Sequence, residues 1–207
     1  TLGGSAAVGF FLFNYWQRRE NVRGSMALLP WTKKSFVQTM ATAVGARVSP
    51  ATKALIVAHA AYESGWGKGL AFRKGNNPWN LTAGASWGGS VVSGGDEEFV
   101  PGSTTPKKIT QRFRAYSGLS QAVADYLSFL GFARYAEAKS KLLAGDPTFV
   151  IELGANTRDS SGTIVNAWPS GMVKGGFYTL PIPDYVGGFN SILTDVETIL
   201  AADALTV

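Results

Sequence analysis

The 207-residue sequence has no cysteine, a single histidine and no run of five or more basic residues. Without cysteine there is no disulfide framework, no thiol nucleophile and no thiolate-ligated zinc. That absence fits the cytoplasm and, equally, an exported protein that avoids thiols. The lone histidine, His59, rules against a histidine-rich metal site, so neither a metal nor another cofactor is expected. A Ser-His-Asp triad survives only with His59 as its base, and no Gly-x-Ser-x-Gly elbow lies where such a triad needs it. The 19 Lys and Arg outnumber the 14 Asp and Glu, for a formal charge of +5. A basic balance suits nucleic acid, a membrane surface or the acidic polymers of a bacterial wall. The basic residues are scattered pairs (Arg18-Arg19, Lys33-Lys34, Arg73-Lys74, Lys107-Lys108), as on a solvated surface, so nucleic acid is not expected as a partner.

What is present supports a folded domain. A hydrophobic fraction of 45% with 12% aromatics supplies a sizeable core, and 25 glycines point to many turns. Thr1 to Gln17 carry no charge, Val8 to Trp16 are strongly apolar, and Arg18-Arg19 follow at once. This length sits at the roughly 17-residue lower limit of a membrane span. The aromatic end beside two arginines is like an interfacial belt with a positive flank. Residues 1–25 therefore read as an apolar arm plus linker. Residues 1–17 are either a partial membrane or virion-associated anchor or an arm packed on the domain or a partner. Residues 26–207 read as one catalytic domain.

The spacing predicts a helix over about 32–44, with Phe36, Val37, Met40 and Val44 on one stripe. Ser49-Pro50 starts another, with Ser as N-cap and Pro at the first helical position, and it carries Leu55, Ile56, His59 and Glu63. Positions 59 and 63 share a face. Residues 65–95 read as loop, with a turn at Asn76-Asn77-Pro78. Alternation predicts strands at 90–93, 97–100 and 107–116. Helices follow at 120–130, 135–144 and from Asp146-Pro147 through Leu153, with Gly145 as a stop. Residues 157–177 are irregular, and a last helix spans about 183–202. The fold class is α+β, mainly α: a helical domain with a small β-hairpin lobe inserted after the Glu63 helix.

Glu63 closes an apolar helix and is followed by a glycine-rich exit. A carboxyl group there suits a general acid, because apolar surroundings favour the protonated form and an open loop admits substrate. An acid at the boundary of two lobes suits glycosidic-bond cleavage. Trp66 and Trp87 offer flat faces for sugar rings, with packing beside the helix as the alternative for Trp66. Asn80 and Tyr116 offer hydrogen bonds. His59 reads as a core or supporting residue, and Asp125 as a solvent-facing or capping acid.

The run Ala60-Ala61-Tyr62-Glu63-Ser64-Gly65-Trp66-Gly67-Lys68 resembles the catalytic segment of the flagellar-type peptidoglycan glucosaminidases, glycoside hydrolase family 73, of bacteria and phages. Collinear matches follow at Asn80-Leu81, Ser86-Trp87, Phe113-Arg114-Ala115-Tyr116, Asp125-Tyr126, Phe129-Leu130, Arg134-Tyr135, Gly176-Phe177-Tyr178-Thr179 and Asp184-Tyr185. The resemblance covers about residues 30–200. It implies a lysozyme-like fold, with Glu63 as general acid cutting β-1,4 bonds of peptidoglycan glycan strands. It also implies action outside the cytoplasm, in the cell envelope, periplasm or a phage virion. The family's second acid corresponds to Glu98, with Glu97 one register away; a strand alternates faces, so only one of the two can meet the cleft.

The sequence departs from the family in three places. Thr82-Ala83-Gly84 replaces Phe-Gly-Ile after the Asn-Leu pair. At the family's Gly-Tyr-Ala-Thr-Asp segment, either Tyr178 takes the tyrosine's place or that hydroxyl is missing. Residues 165–174 have no clear counterpart. The competing readings are a lytic transglycosylase and a wall-binding virion or envelope module with little turnover.

Overall fold

A computed structural model describes residues 31–98, 107–154, 167–168, 172–173, 177–178 and 182–205. The chain divides between Pro30 and Trp31, and the arm expected at 1–25 lies outside the described residues.

Helix α1 (Lys33–Val44) starts where Thr32 accepts the Ser35 N–H and Ser35 answers at the Thr32 N–H, a reciprocal cap. Helix α2 (Pro50–Ser64) starts on the Ser49 cap with Pro50 in the first turn, as its sequence requires. Ala54 through Ala61 of α2 are all buried. A helix apolar on every side belongs inside, and its many alanines let neighbours approach closely. Helix α7 (Ile182–Ala204) and α1 both pack on α2. Phe36, Val37 and Met40 come from α1, and Phe189, Ile192, Leu193 and Val196 from α7.

Helix α3 (Leu70–Gly75) lies inside the segment expected to be loop. The strands expected at 90–93 and 97–100 form one element, β1 (Val91–Glu98), paired antiparallel with β2 (Lys107–Arg114) from Val91 opposite Arg114 to Glu98 opposite Lys107. Gly94 does not break β1. A Cβ there would meet the end of the Leu70 side chain at 2.9 Å, so glycine lets the hairpin lie against α3 without moving that side chain. Helices α4 (Leu119–Phe129), α5 (Ala136–Ala144) and α6 (Phe149–Gly154) complete the body, with a single 3₁₀ turn at Ala133–Tyr135 leading into α5. Gly145 ends α5 in the left-handed region, as expected. Two short strands, β3 (Ala167–Trp168) and β4 (Met172–Val173), pair within the stretch read as irregular. The result is the mainly helical domain with a small hairpin that the sequence implied. Among the described residues no helix is long and apolar enough to cross a membrane; residues 1–17 are not among them.

Candidate active site

Helix α2 ends at Gly65, whose left-handed conformation (φ 58°) turns the chain away directly after Glu63 and Ser64. Ser64 braces the turn, donating to the Ala60 carbonyl (2.6 Å) and accepting from the Gly67 N–H (3.0 Å). Asn80 closes the site from the next loop. It holds a left-handed conformation (φ 51°), and its Nδ2 donates to the Glu63 carbonyl at 2.7 Å. Asn77 ties this loop to the hairpin, donating to the carbonyls of Leu81 and Arg114, both at 2.9 Å. The backbone carrying Glu63 is thus fixed by groups from three segments.

The Glu63 side chain is 16% exposed, enough to reach solvent and little enough to be held. The Tyr185 hydroxyl, in the first turns of α7, donates to Glu63 Oε1. His59, one helical turn before Glu63, lies with its Nε2 2.8 Å from the same hydroxyl, while its Nδ1 is 2.7 Å from the Tyr126 hydroxyl. Nε2 and Glu63 Oε1 are 3.7 Å apart, too far for a hydrogen bond; the Tyr185 hydroxyl bridges them. Burial, and next the Glu63 charge, push the Tyr185 and Tyr126 phenols well above their ordinary range, so both remain donors. Tyr185 is clamped between aromatic rings, stacked on Tyr178 at 3.6 Å and met edge-on by Tyr62 at 4.6 Å. Glycine at 188 permits this crossing, since a Cβ would sit 2.7 Å from the Tyr62 ring.

The expected substrate contacts are placed differently from one another. Trp66 packs edge-on against Phe36 with the Lys33 ammonium over its ring, and at 6% exposure it lies in the core beside the helix. Tyr116 is likewise buried, its hydroxyl bound to Asp125 at 2.6 Å. Asp125 also accepts from Arg114 at 2.7 Å, so it is an internal ion-pair partner and not the solvent-facing or capping acid expected. Trp87 is half-buried, with the Arg114 guanidinium 4.7 Å from its ring centre. Asn80 gives one amide N–H to the Glu63 carbonyl and keeps a second N–H and its own carbonyl. Tyr178 is buried, its hydroxyl bound to the Val150 carbonyl at 2.9 Å, and its ring supports Tyr185. Glu98 stands in β1 opposite Lys107, and Glu97 opposite Lys108.

Tyr185, Tyr126 and Tyr62 were not singled out from sequence. Tyr126 and Tyr185 meet His59 across 67 and 126 residues, separations that no local pattern reveals. The sequence signals were the collinear Asp125-Tyr126 and Asp184-Tyr185 pairs and, for Tyr62, its place in the Glu63 run. Among the described residues no group of three or more His, Cys, Asp or Glu is placed to hold a metal ion.

A helical body, a small hairpin and a helix-end glutamate at the loop junction form the arrangement expected of a glycoside hydrolase domain of lysozyme-like fold. The peptidoglycan hydrolase mutant from Sphingomonas sp. A1 superposes with a TM-score of 0.57 at 24% identity, over 82% of this chain and 99% of that one. The glycoside hydrolase domain of Salmonella typhimurium FlgJ superposes at 0.53 and 23%, over 84% and 94%. In sequence, the peptidoglycan hydrolase FlgJ of Vibrio parahaemolyticus is 36% identical over 100 residues, 47% of this chain and 30% of that protein. FlgJ of Salmonella typhimurium is 38% identical over 80 residues, 37% of this chain and 25% of that protein. The matches thus span less than a third of these curated relatives. Residues 39–158 match the glucosaminidase family, described as mannosyl-glycoprotein endo-beta-N-acetylglucosaminidase. The chain belongs to the glucosaminidase family of glycoside hydrolases.

Proposed function

We propose that this domain hydrolyses peptidoglycan, cutting the β-1,4 bond at N-acetylglucosamine in the glycan strand, with Glu63 as general acid. The observation that carries the reading is the state of Glu63: partly exposed at a helix end, with Oε1 engaged by Tyr185. With Oε1 accepting, the transferable proton stands on Oε2. It passes to the glycosidic oxygen as the C1–O bond breaks, and the sugar ring develops oxocarbenium character. Glu63 is left as a carboxylate that already accepts a charge-assisted bond. Such proton delivery is worth about 10²–10⁴-fold.

Water completes the reaction at C1, activated by Glu98 or directed by the substrate's own acetamido group. Glu98 is preferred over Glu97 because the Glu98-Phe99 step is the one that resembles the family's Glu-Tyr step carrying the second acid. The family and the FlgJ relatives support the wall polymer as substrate, and the net charge of +5 suits its acidic surroundings. Action is then extracytoplasmic, in the envelope or carried by a virion, with residues 1–17 as the candidate attachment.

Digestion of purified sacculi, with mass spectrometry of the soluble fragments, tests this reading. Reducing N-acetylglucosamine ends are expected. Anhydro-muramic ends would make the domain a transglycosylase, and binding without release would make it a wall-binding module; either overturns the proposal.

A further inference from the structure

The hydrogen bonds around His59 have a direction, and it ends on Glu63. Tyr185 has one hydroxyl hydrogen, which goes to Glu63 Oε1. The bond between that hydroxyl and His59 Nε2 must therefore run the other way, with Nε2–H donating to the Tyr185 oxygen. At the far side of the ring, the fully buried Tyr126 hydroxyl has His59 Nδ1 as its partner at 2.7 Å. A doubly protonated ring would donate to Tyr126 and leave that phenolic hydrogen buried without an acceptor, a costly arrangement. The pattern that satisfies every group is Tyr126 O–H to Nδ1, Nε2–H to Tyr185, and Tyr185 O–H to Glu63.

The surroundings hold this chain rigid. Tyr126 lies flat against the buried Trp79 ring at 4.2 Å, and Tyr185 flat against Tyr178 at 3.6 Å. Rings of Phe149, Phe177 and Phe189 pack around His59 at 5.7, 5.0 and 6.5 Å and offer its nitrogens no competing partner. His59 itself is wholly buried and so cannot touch substrate.

Resting on the assignment of Glu63 as the acid, we propose that His59 is a positioning residue, held as the neutral Nε2–H tautomer by Tyr126. It fixes the Tyr185 hydroxyl on Glu63 Oε1 and thereby keeps the catalytic proton on Oε2. A chain of bonds that all point at the carboxyl is already arranged for the carboxylate formed on proton transfer, so no dipole has to turn during the reaction. Without His59, the Tyr185 oxygen loses its donor and its hydroxyl hydrogen is free to leave Oε1.

His59→Phe removes both bonds, whereas His59→Gln keeps a donor for Tyr185 and an acceptor for Tyr126. On sacculi, His59→Phe is expected to lose about 10- to 100-fold in kcat with KM nearly unchanged, and His59→Gln to recover most of that loss. Because the chain has one histidine, nitrogen NMR of its imidazole is unambiguous. It should report the Nε2–H tautomer at pH 7, and a mixture of tautomers in Tyr126→Phe. This spectrum decides the matter even should His59→Phe fail to fold. Full kcat in folded His59→Phe, no recovery in His59→Gln, or an Nδ1–H or doubly protonated ring in the wild type each overturn the inference. An active Glu63→Gln would instead sink the assignment of the acid, whereas an inactive Glu63→Gln beside a fully active His59→Phe would sink the positioning role alone.

Discussion

The Tyr185 hydroxyl donates to Glu63 Oε1 across 122 residues of sequence, joining the first turns of the last helix to the end of the central one. The Glu63 carboxyl is thereby oriented by a residue outside its own motif. Tyr185→Phe keeps the ring stack on Tyr178 and deletes only the hydroxyl. Its kcat should fall by about 10- to 100-fold with little change in KM, since the lost donor acts mainly on the charge formed in the reaction. Steady-state kinetics on solubilised glycan checks this, and a wild-type kcat would show that Tyr185 does not orient the acid.

Asn80 joins backbone strain to function. Asn80→Ala loses the bond to the Glu63 carbonyl, about 1 kcal/mol, and adds a left-handed penalty of about 1–2 kcal/mol. Asn80→Gly loses only the bond. Urea denaturation should rank the two, alanine the less stable, and equal losses would mean that the φ of 51° carries no cost.

Tyr62, Tyr116, Tyr126, Tyr135, Tyr178 and Tyr185 all have phenols pushed up, in each case first by burial. A folded value above the unfolded one gives stability that is fully present below about pH 10, the unfolded value, and lost as pH rises through the folded values. Six of the seven tyrosines should therefore ionise only as the helices melt; the seventh, Tyr15, is outside the described residues. Tyrosinate absorbance followed beside circular dichroism tests this, and more than one tyrosine titrating ahead of unfolding would contradict it.

Glu98→Gln should slow turnover strongly while Glu97→Gln stays close to wild type, as measured by release of reducing ends. The reverse order would put the other register at the cleft. Undiminished turnover in both would assign the second step to the substrate's acetamido group.

Much of this was legible in the sequence where a local rule decides the outcome. Ser49-Pro50 starts α2, Gly65 and Gly145 terminate helices, and the alternation in 107–116 marks β2. Local rules failed where tertiary contact decides. Residues 65–95 read as loop, but α3 forms within them and β1 runs through Gly94 and Gly95, where the hairpin meets Leu70. Asp125 read as a surface acid because its partners, Arg114 and Tyr116, come from another element. The motif exposed Glu63, while the tyrosines that hold it come from α4 and α7 and share no spacing with it.

In the proposed reaction, Glu63 donates the proton that releases the sugar. Comparing the glycan ends released from sacculi by the wild type and by Glu63→Gln tests it most directly, with circular dichroism confirming that both are folded. Reducing ends are expected from the wild type and none above background from Glu63→Gln. Reducing ends released by folded Glu63→Gln at the wild-type rate would contradict it.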